Sequence, residues 1–237
     1  MSCYHLKVNS FNGCSIFIYE REMIMKNKAF SVSLTKNPSV SMNVIPGHFT
    51  TSHFHANHFL DLDDLKTNST VARDVAMELA LPYLANTLVD TIVCMEGTEV
   101  IGAYMAEELL REGISVINSG REIHVVTPIS NVNRKLTFQS NKQELISNRN
   151  IIVLVSSISS GITLNSALEC LSYYGGKIVG VSALFNADSI EYDREIHSMF
   201  TNKDIPNYQL FTLNECPMCK EGRKLDAIIV HDGYIKI

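Results

Sequence analysis

Residues Ile151 to Thr163 read IIVLVSSISSGIT, and this stretch decides the fold. A run of β-branched and aliphatic residues describes a strand buried on both faces, as in a parallel sheet. Small hydroxyl residues and one glycine follow. An amphipathic segment comes next, in which Leu164, Leu168 and Leu171 fall at helical spacing. A strand is thus handed through a tight loop to a helix start. Ser157, Ser159, Ser160, Gly161, Ile162 and Thr163 then sit where backbone N–H groups are unpaired and carry partial positive charge, which suits a phosphate. Gly161 lets the backbone approach a ligand closely. An ordinary N-cap with solubilising serines has the same composition, so loop chemistry alone leaves both readings open.

The flanking sequence extends the pattern. Upstream, Thr67 to Thr70 offers caps for a helix from about Val71 to Tyr83, with Val71, Val75 and Leu79 on one face. DTIVCM is a short buried strand, EGTE a turn, and Glu99 to Glu112 a helix closed by Gly113 before the short strand ISVI. Downstream, KIVGVSALF is a third buried strand, a helical segment is expected near Ile190–Phe200, and YQLFTL is a strand. Strand, helix, strand, helix, strand gives an α/β fold with a parallel sheet and right-handed crossovers. Ligands bind beyond the carboxyl ends of such strands. Two turns sit there: Glu96-Gly97-Thr98-Glu99 after the first strand and the hydroxyl-glycine loop after the second. Glu99 reads as a first-turn residue favoured by the helix dipole. Glu96 is either a solvated side chain or one that reaches a ligand.

Two less regular parts remain. Residues 1–65 form a β-containing extension, with a strand expected at CSIFIY and a loop at KNPSVSMNVIPGHF. The core spans 66–237, and within it the polar residues 120–148 look like a protruding hairpin or hood.

The 237 residues, 46% hydrophobic and 19% charged, are enough for a sizeable core. The net charge of −5 and the lack of a basic block argue against nucleic acid as the main partner. No apolar run reaches membrane-span length, and no export signal is recognisable. Six cysteines without framework spacing imply free thiols in a reducing cytoplasm. Cys94 and Cys170 lie in apolar patterns and are expected to be buried and inert.

Two motifs raise the question of a metal. His48, His53, His55 and His58 crowd one segment, and Cys216-Pro-Met-Cys219 is half of a zinc-ribbon pattern. The histidines are also accounted for as pocket residues, and the cysteines as a tight turn. His231 with a distant cysteine would be needed to close the cysteine site. No protein-held metal is therefore expected.

The decisive stretch resembles the type I phosphoribosyltransferases. Ile151–Leu154 match their strand, and Ser159-Ser160-Gly161-Ile162-Thr163 match the loop that holds the 5′-phosphate of phosphoribosyl diphosphate. Val155 and Ser156 stand where the family carries two acids that bind the ribose hydroxyls. SHFHANHFLD narrows the resemblance to the orotate branch: Ser52, Phe59 and Asp61 keep the spacing of its base-side motif, with His53 in place of a glycine. ECPMCKEGRKL resembles tails of orotate-phosphoribosyltransferase-like proteins.

The resemblance implies several assignments. Glu96, Gly97, Thr98 and Glu99 line the diphosphate side, Val155 and Ser156 the ribose side, and Ser52, His53, Phe59 and Asp61 the base side. Mg²⁺ accompanies phosphoribosyl diphosphate, and a homodimer brings hood cations such as Arg121, His124 or Lys135 over the site. The implied activity is transfer of phosphoribosyl to a pyrimidine-like base with release of diphosphate. Losing a charged hydrogen bond at Val155 or Ser156 would cost about 1–3 kcal/mol each, or roughly one to two decades in rate. A non-catalytic nucleotide-binding protein on the same fold is the alternative. Thr51 and Asp63, where the orotate branch is often basic, leave the identity of the base open.

Overall fold

A computed structural model describes residues 28–111, 117–130, 135–188, 191–230 and 233–237. The chain opens with β1 (Phe30–Ser33), β2 (Ser41–Thr50) and β3 (Phe54–Asp61), followed by helices α1 (Asp63–Thr67) and α2 (Ser69–Ala80). Next come β4 (Thr91–Cys94), α3 (Glu99–Leu110), β5 (His124–Val126) and the small hairpin β6 (Ile129–Ser130) and β7 (Leu136–Thr137). The decisive stretch forms β8 (Asn150–Ile158) and α4 (Ile162–Tyr173). After it come β9 (Lys177–Asn186), β10 (His197–Thr201), β11 (Leu210–Thr212), α5 (Pro217–Lys220), β12 (Ala227–Val230) and β13 (Gly233–Lys236).

The expected parallel sheet is present, with strands in the order β10-β9-β8-β4-β5 and every pair parallel. Alternation along β8 explains its continuous apolar run. Ile152 and Leu154 pack with α2 and α3 on one face. Ile151, Val153 and Val155 pack with α4 on the other. All five are fully buried, so neither face of this strand meets water.

The second sheet differs from the expectation. Residues 41–50 form a ten-residue strand rather than a loop. Pro46 and Gly47 are accommodated by a bulge, since pairing with β3 shifts between Pro46 and Phe49. Strands from the far end of the chain complete this sheet, in the order β11-β3-β2-β12-β13, with β1 on β2. A division at 65/66 therefore does not separate the two sheets. The segment expected to be helical near Ile190–Phe200 ends in β10 instead, because Met199 and Phe200 extend the apolar edge of the parallel sheet beside β9. The expected strands CSIFIY and ISVI fall wholly or mostly outside the described residues, as does His231.

Candidate functional site

A cleft of about 410 Å³ opens beyond the carboxyl ends of β4 and β8, between the parallel sheet and the β2–β3 turn. Ser157, Ser159, Ser160, Gly161, Ile162 and Thr163 all line it. Gly161 is left-handed (φ 70°) and forms the N-cap of α4, but no side chain caps that helix. Helix α2 is different: there the Asn68 side chain accepts from the Thr70 N–H. The serines before α4 therefore do not act as caps. The uncapped start of a twelve-residue helix and several hydroxyl residues border one cleft, and such helix starts suit an anion.

Two charged side chains line the cleft, Glu96 and Lys66. Glu96 lies in the turn after β4 in a left-handed conformation (φ 57°), which costs a non-glycine residue on the order of 1–2 kcal/mol. This conformation places its carboxylate at the tip of β8, where Oε2 accepts from the Ser157 N–H at 3.4 Å. Glu96 is thus the carboxylate beside Ser156, in the region where the aligned acids are missing.

Sequence reading did not single out Lys66. It lies on α1 with its side chain only 4% exposed, contacts Asp63 at 3.4 Å, and donates to the Glu96 carbonyl at 3.4 Å. A buried lysine is rare without a partner or a task. The signal was faint, because Lys66 sits in the acidic-looking run DLDDLK. Tyr208 was also missed. It stacks on His58 with ring centroids 6.1 Å apart and lines the cleft. Burial pushes its phenol up to about 12, against the opposing effect of a hydrogen bond with Ser159.

Of the residues expected on a base side, Ser52, His53 and Phe59 line the cleft, but Asp61 does not. Its carboxylate instead accepts from the Asp63 N–H at 3.2 Å and shapes the start of α1. On the diphosphate side only Glu96 lines the cleft. Gly97 supplies the second left-handed residue of the turn (φ 77°). Thr98 is buried, its hydroxyl donating to the Met95 and Leu154 carbonyls, so it ties the turn to β8. Glu99 accepts from the Thr127 hydroxyl at 2.9 Å. Of the ribose-side pair, Ser156 lines the cleft, whereas Val155 belongs to the core under α4.

The hood candidates are not brought to the cleft within one chain. Arg121 pairs with Asp90 at 3.2 Å, and His124 starts β5 opposite Thr91. Both lie at the amino end of the parallel strands, the wrong end for the site. Lys135 precedes β7 and does not line the cleft. Cys94 and Cys170 are buried as expected, and burial pushes the Cys94 thiol up to about 12. The histidine and cysteine motifs, which the sequence alone keeps apart, meet: His48, His55, Cys216 and Cys219 bring their ligand atoms within 4.8 Å of one another.

Topology, strand ends and cleft together define the class: the chain has the type I phosphoribosyltransferase fold. No protein-family model matches it. Among solved structures it is similar to the UMP synthase of Leishmania donovani, with a TM-score of 0.52, 17% identity and 76% of this chain covered. It spans only 36% of that protein's length. Among curated proteins it is similar to the orotate phosphoribosyltransferase of Sulfurimonas denitrificans. The two are 26% identical over 194 residues, which cover 76% of this chain and 89% of the relative.

Proposed function

We propose that the protein transfers a phosphoribosyl group from phosphoribosyl diphosphate to a nitrogen of a pyrimidine-like base, releasing diphosphate. The observation that carries this reading is the uncapped amino end of α4, opening with Ser159, Ser160 and Thr163 into a cleft. The 5′-phosphate sits there, and the ribose is placed across the tips of β8 and β4.

Bond breaking at the anomeric carbon leaves positive charge on the sugar ring. A carboxylate beside it in a partly dehydrated cleft lowers that barrier. Glu96 holds that place, and the Ser157 N–H keeps its carboxylate aimed at the strand tip. Ser156 gives the ribose one neutral hydrogen-bonding partner. The carboxylate that Val155–Ser156 lack is thus supplied from the neighbouring turn, which favours catalysis over a purely binding role. Lys66 provides the cleft's positive charge for the departing diphosphate. Ser52, His53, Phe59 and Tyr208 surround the base. With neither a lysine at Thr51 nor a basic residue at Asp63, we leave the base as pyrimidine-like rather than orotate itself.

Magnesium fits this cleft, since Glu96 offers the hard oxygen that Mg²⁺ prefers. When bound with the substrate it neutralises diphosphate charge. We further propose a cytoplasmic homodimer in which the hood of one chain covers the cleft of the other. What supports that reading is the resemblance to the orotate branch, since neither Arg121 nor His124 lines its own chain's cleft. Among the described residues no helix is long and apolar enough to cross a membrane.

The test is a diphosphate-release assay with phosphoribosyl diphosphate, Mg²⁺ and a panel of bases, run beside calorimetry with ribose 5-phosphate. Turnover with at least one pyrimidine-like base is expected. Tight binding with no release for any base would replace this reading with that of a nucleotide-binding protein.

A further inference from the structure

Four potential ligands converge on the second sheet, none of them lining the cleft. His48 lies in the β2 bulge, His55 on β3, and Cys216 and Cys219 bracket the start of α5. His48 Nε2 is 3.0 Å from His55 Nδ1, 3.4 Å from Cys216 Sγ and 3.6 Å from Cys219 Sγ. Cys219 Sγ is 3.3 Å from His55 Nδ1. In a tetrahedral site with Zn–N of about 2.0–2.1 Å and Zn–S of about 2.3 Å, ligand atoms stand roughly 3.3–3.8 Å apart. These four separations are already close to that spacing, and all four ligand atoms lie within 4.8 Å of one another. His48, His55 and Cys216 are buried, while Cys219 is exposed at the rim.

The protonation pattern points the same way. His48 Nδ1 faces the carbonyl oxygens of Arg223 at 3.0 Å and Lys224 at 3.3 Å. Two carbonyl acceptors favour the tautomer with its proton on Nδ1, which leaves the Nε2 lone pair toward the other three ligands. Metal-bound histidines characteristically give their second N–H to a carbonyl in this way. The His48 N–H also donates to Asp226 Oδ2 at 2.8 Å, which fixes the bulge against the cysteine loop. A plain hydrogen-bonded cluster is the competing account of these contacts.

We propose that His48, His55, Cys216 and Cys219 form a closed, structural zinc site. Two imidazoles and two thiolates are the donor set that selects zinc in tetrahedral geometry. All four positions are filled by protein, so the ion has no open place for a substrate. Binding displaces the two thiol protons and leaves a neutral centre. The ion ties the tail to the β2–β3 hairpin, whose turn carries Ser52 and His53 into the cleft. The proposal does not depend on the reaction assigned above.

The test is metal analysis of the full chain, purified without chelator from zinc-containing medium, followed by replacement with Co²⁺. About one zinc per chain is expected, along with the visible d–d bands and sulfur-to-metal charge transfer of a tetrahedral two-thiolate Co²⁺ site. The C216S/C219S chain should lose the metal. A native chain with neither stoichiometric zinc nor a Co²⁺ spectrum on titration overturns the proposal, as does a folded C216S/C219S chain that keeps its zinc. If the double variant fails to fold, the Co²⁺ spectrum of the native chain decides alone.

Discussion

The two sheets of this molecule are built in opposite ways. The parallel sheet grows from consecutive strand–helix units, and its central strands β4 and β8 are buried on both faces. The second sheet joins β1–β3 to strands that arrive some 150 residues later, as the pairing of Phe211 with His55 and of Ala227 with Phe49 shows. Its own core is small: Ile45, Phe49, Ala56, Phe59 and Ala227. A sheet with such distant partners benefits from a cross-link, and the histidine–cysteine cluster lies where one would act. The cleft joins the two constructions, taking its hydroxyl–glycine loop from one sheet and the β2–β3 turn from the other.

The largest expected effects test whether the sheets differ in cooperativity. Phe49→Ala should cost about 4 kcal/mol and Leu154→Ala about 3 kcal/mol, since both side chains are fully buried. Hydrogen exchange should show Phe49→Ala loosening β2, β3 and β12 while β8 and β9 stay protected. Leu154→Ala should lower the unfolding of the whole chain. Loss of protection throughout β8 in the Phe49→Ala chain would break the distinction. Next in size, Glu96→Gln should reduce kcat/KM for diphosphate release by tenfold to a hundredfold, about 1.4–2.7 kcal/mol, with little change in melting temperature. An unchanged rate would remove Glu96 from the chemistry.

Gly161→Ala should cost about 1–2 kcal/mol, because alanine resists the left-handed φ of 70°. Calorimetry should show ribose 5-phosphate bound roughly tenfold more weakly. The smallest effect concerns the second sheet. Burial holds the His58 imidazole below its ordinary value of 6.5, so the unfolded chain takes up that proton first. The stability from neutral His58 is fully present above that value and declines as pH falls below it. Urea midpoints at pH 7.5 and 5.5 should therefore diverge more for the native chain than for His58→Gln. Equal shifts would show that His58 has no part in the pH dependence.

How legible each part was follows the same division. β8 and α4 could be read because the apolar run, the hydroxyl loop and the leucine spacing are local signals. β2 was mistaken for loop because Pro46 and Gly47 mimic a turn, while the pairing that rescues them comes from β3 and β12. At the cleft, the hydroxyl–glycine loop was legible as a lining element, but Lys66 and Tyr208 were not. Lys66 is hidden in an acidic run, and Tyr208 reaches the cleft only through the tertiary path after β10. The histidines and cysteines were each half of a pattern, separated by the entire parallel sheet. Proximity of that kind is a property of the fold and leaves no trace in spacing.

The kink between Pro46 and Phe49 also dictates how this strand can change over evolutionary time. Three steps along one strand face two along its neighbour, and a β-carbon on Gly47 would lie 2.6 Å from the Phe49 ring. Shortening the segment by one residue would make the ladder regular but turn one half of the strand over. Either Val40, Met42 and Val44 would face away from the main interior, or His48 would swing off its three companions. Homologous chains that keep those companions should therefore carry no insertion or deletion here, and a viable single-residue deletion in this segment would refute that expectation.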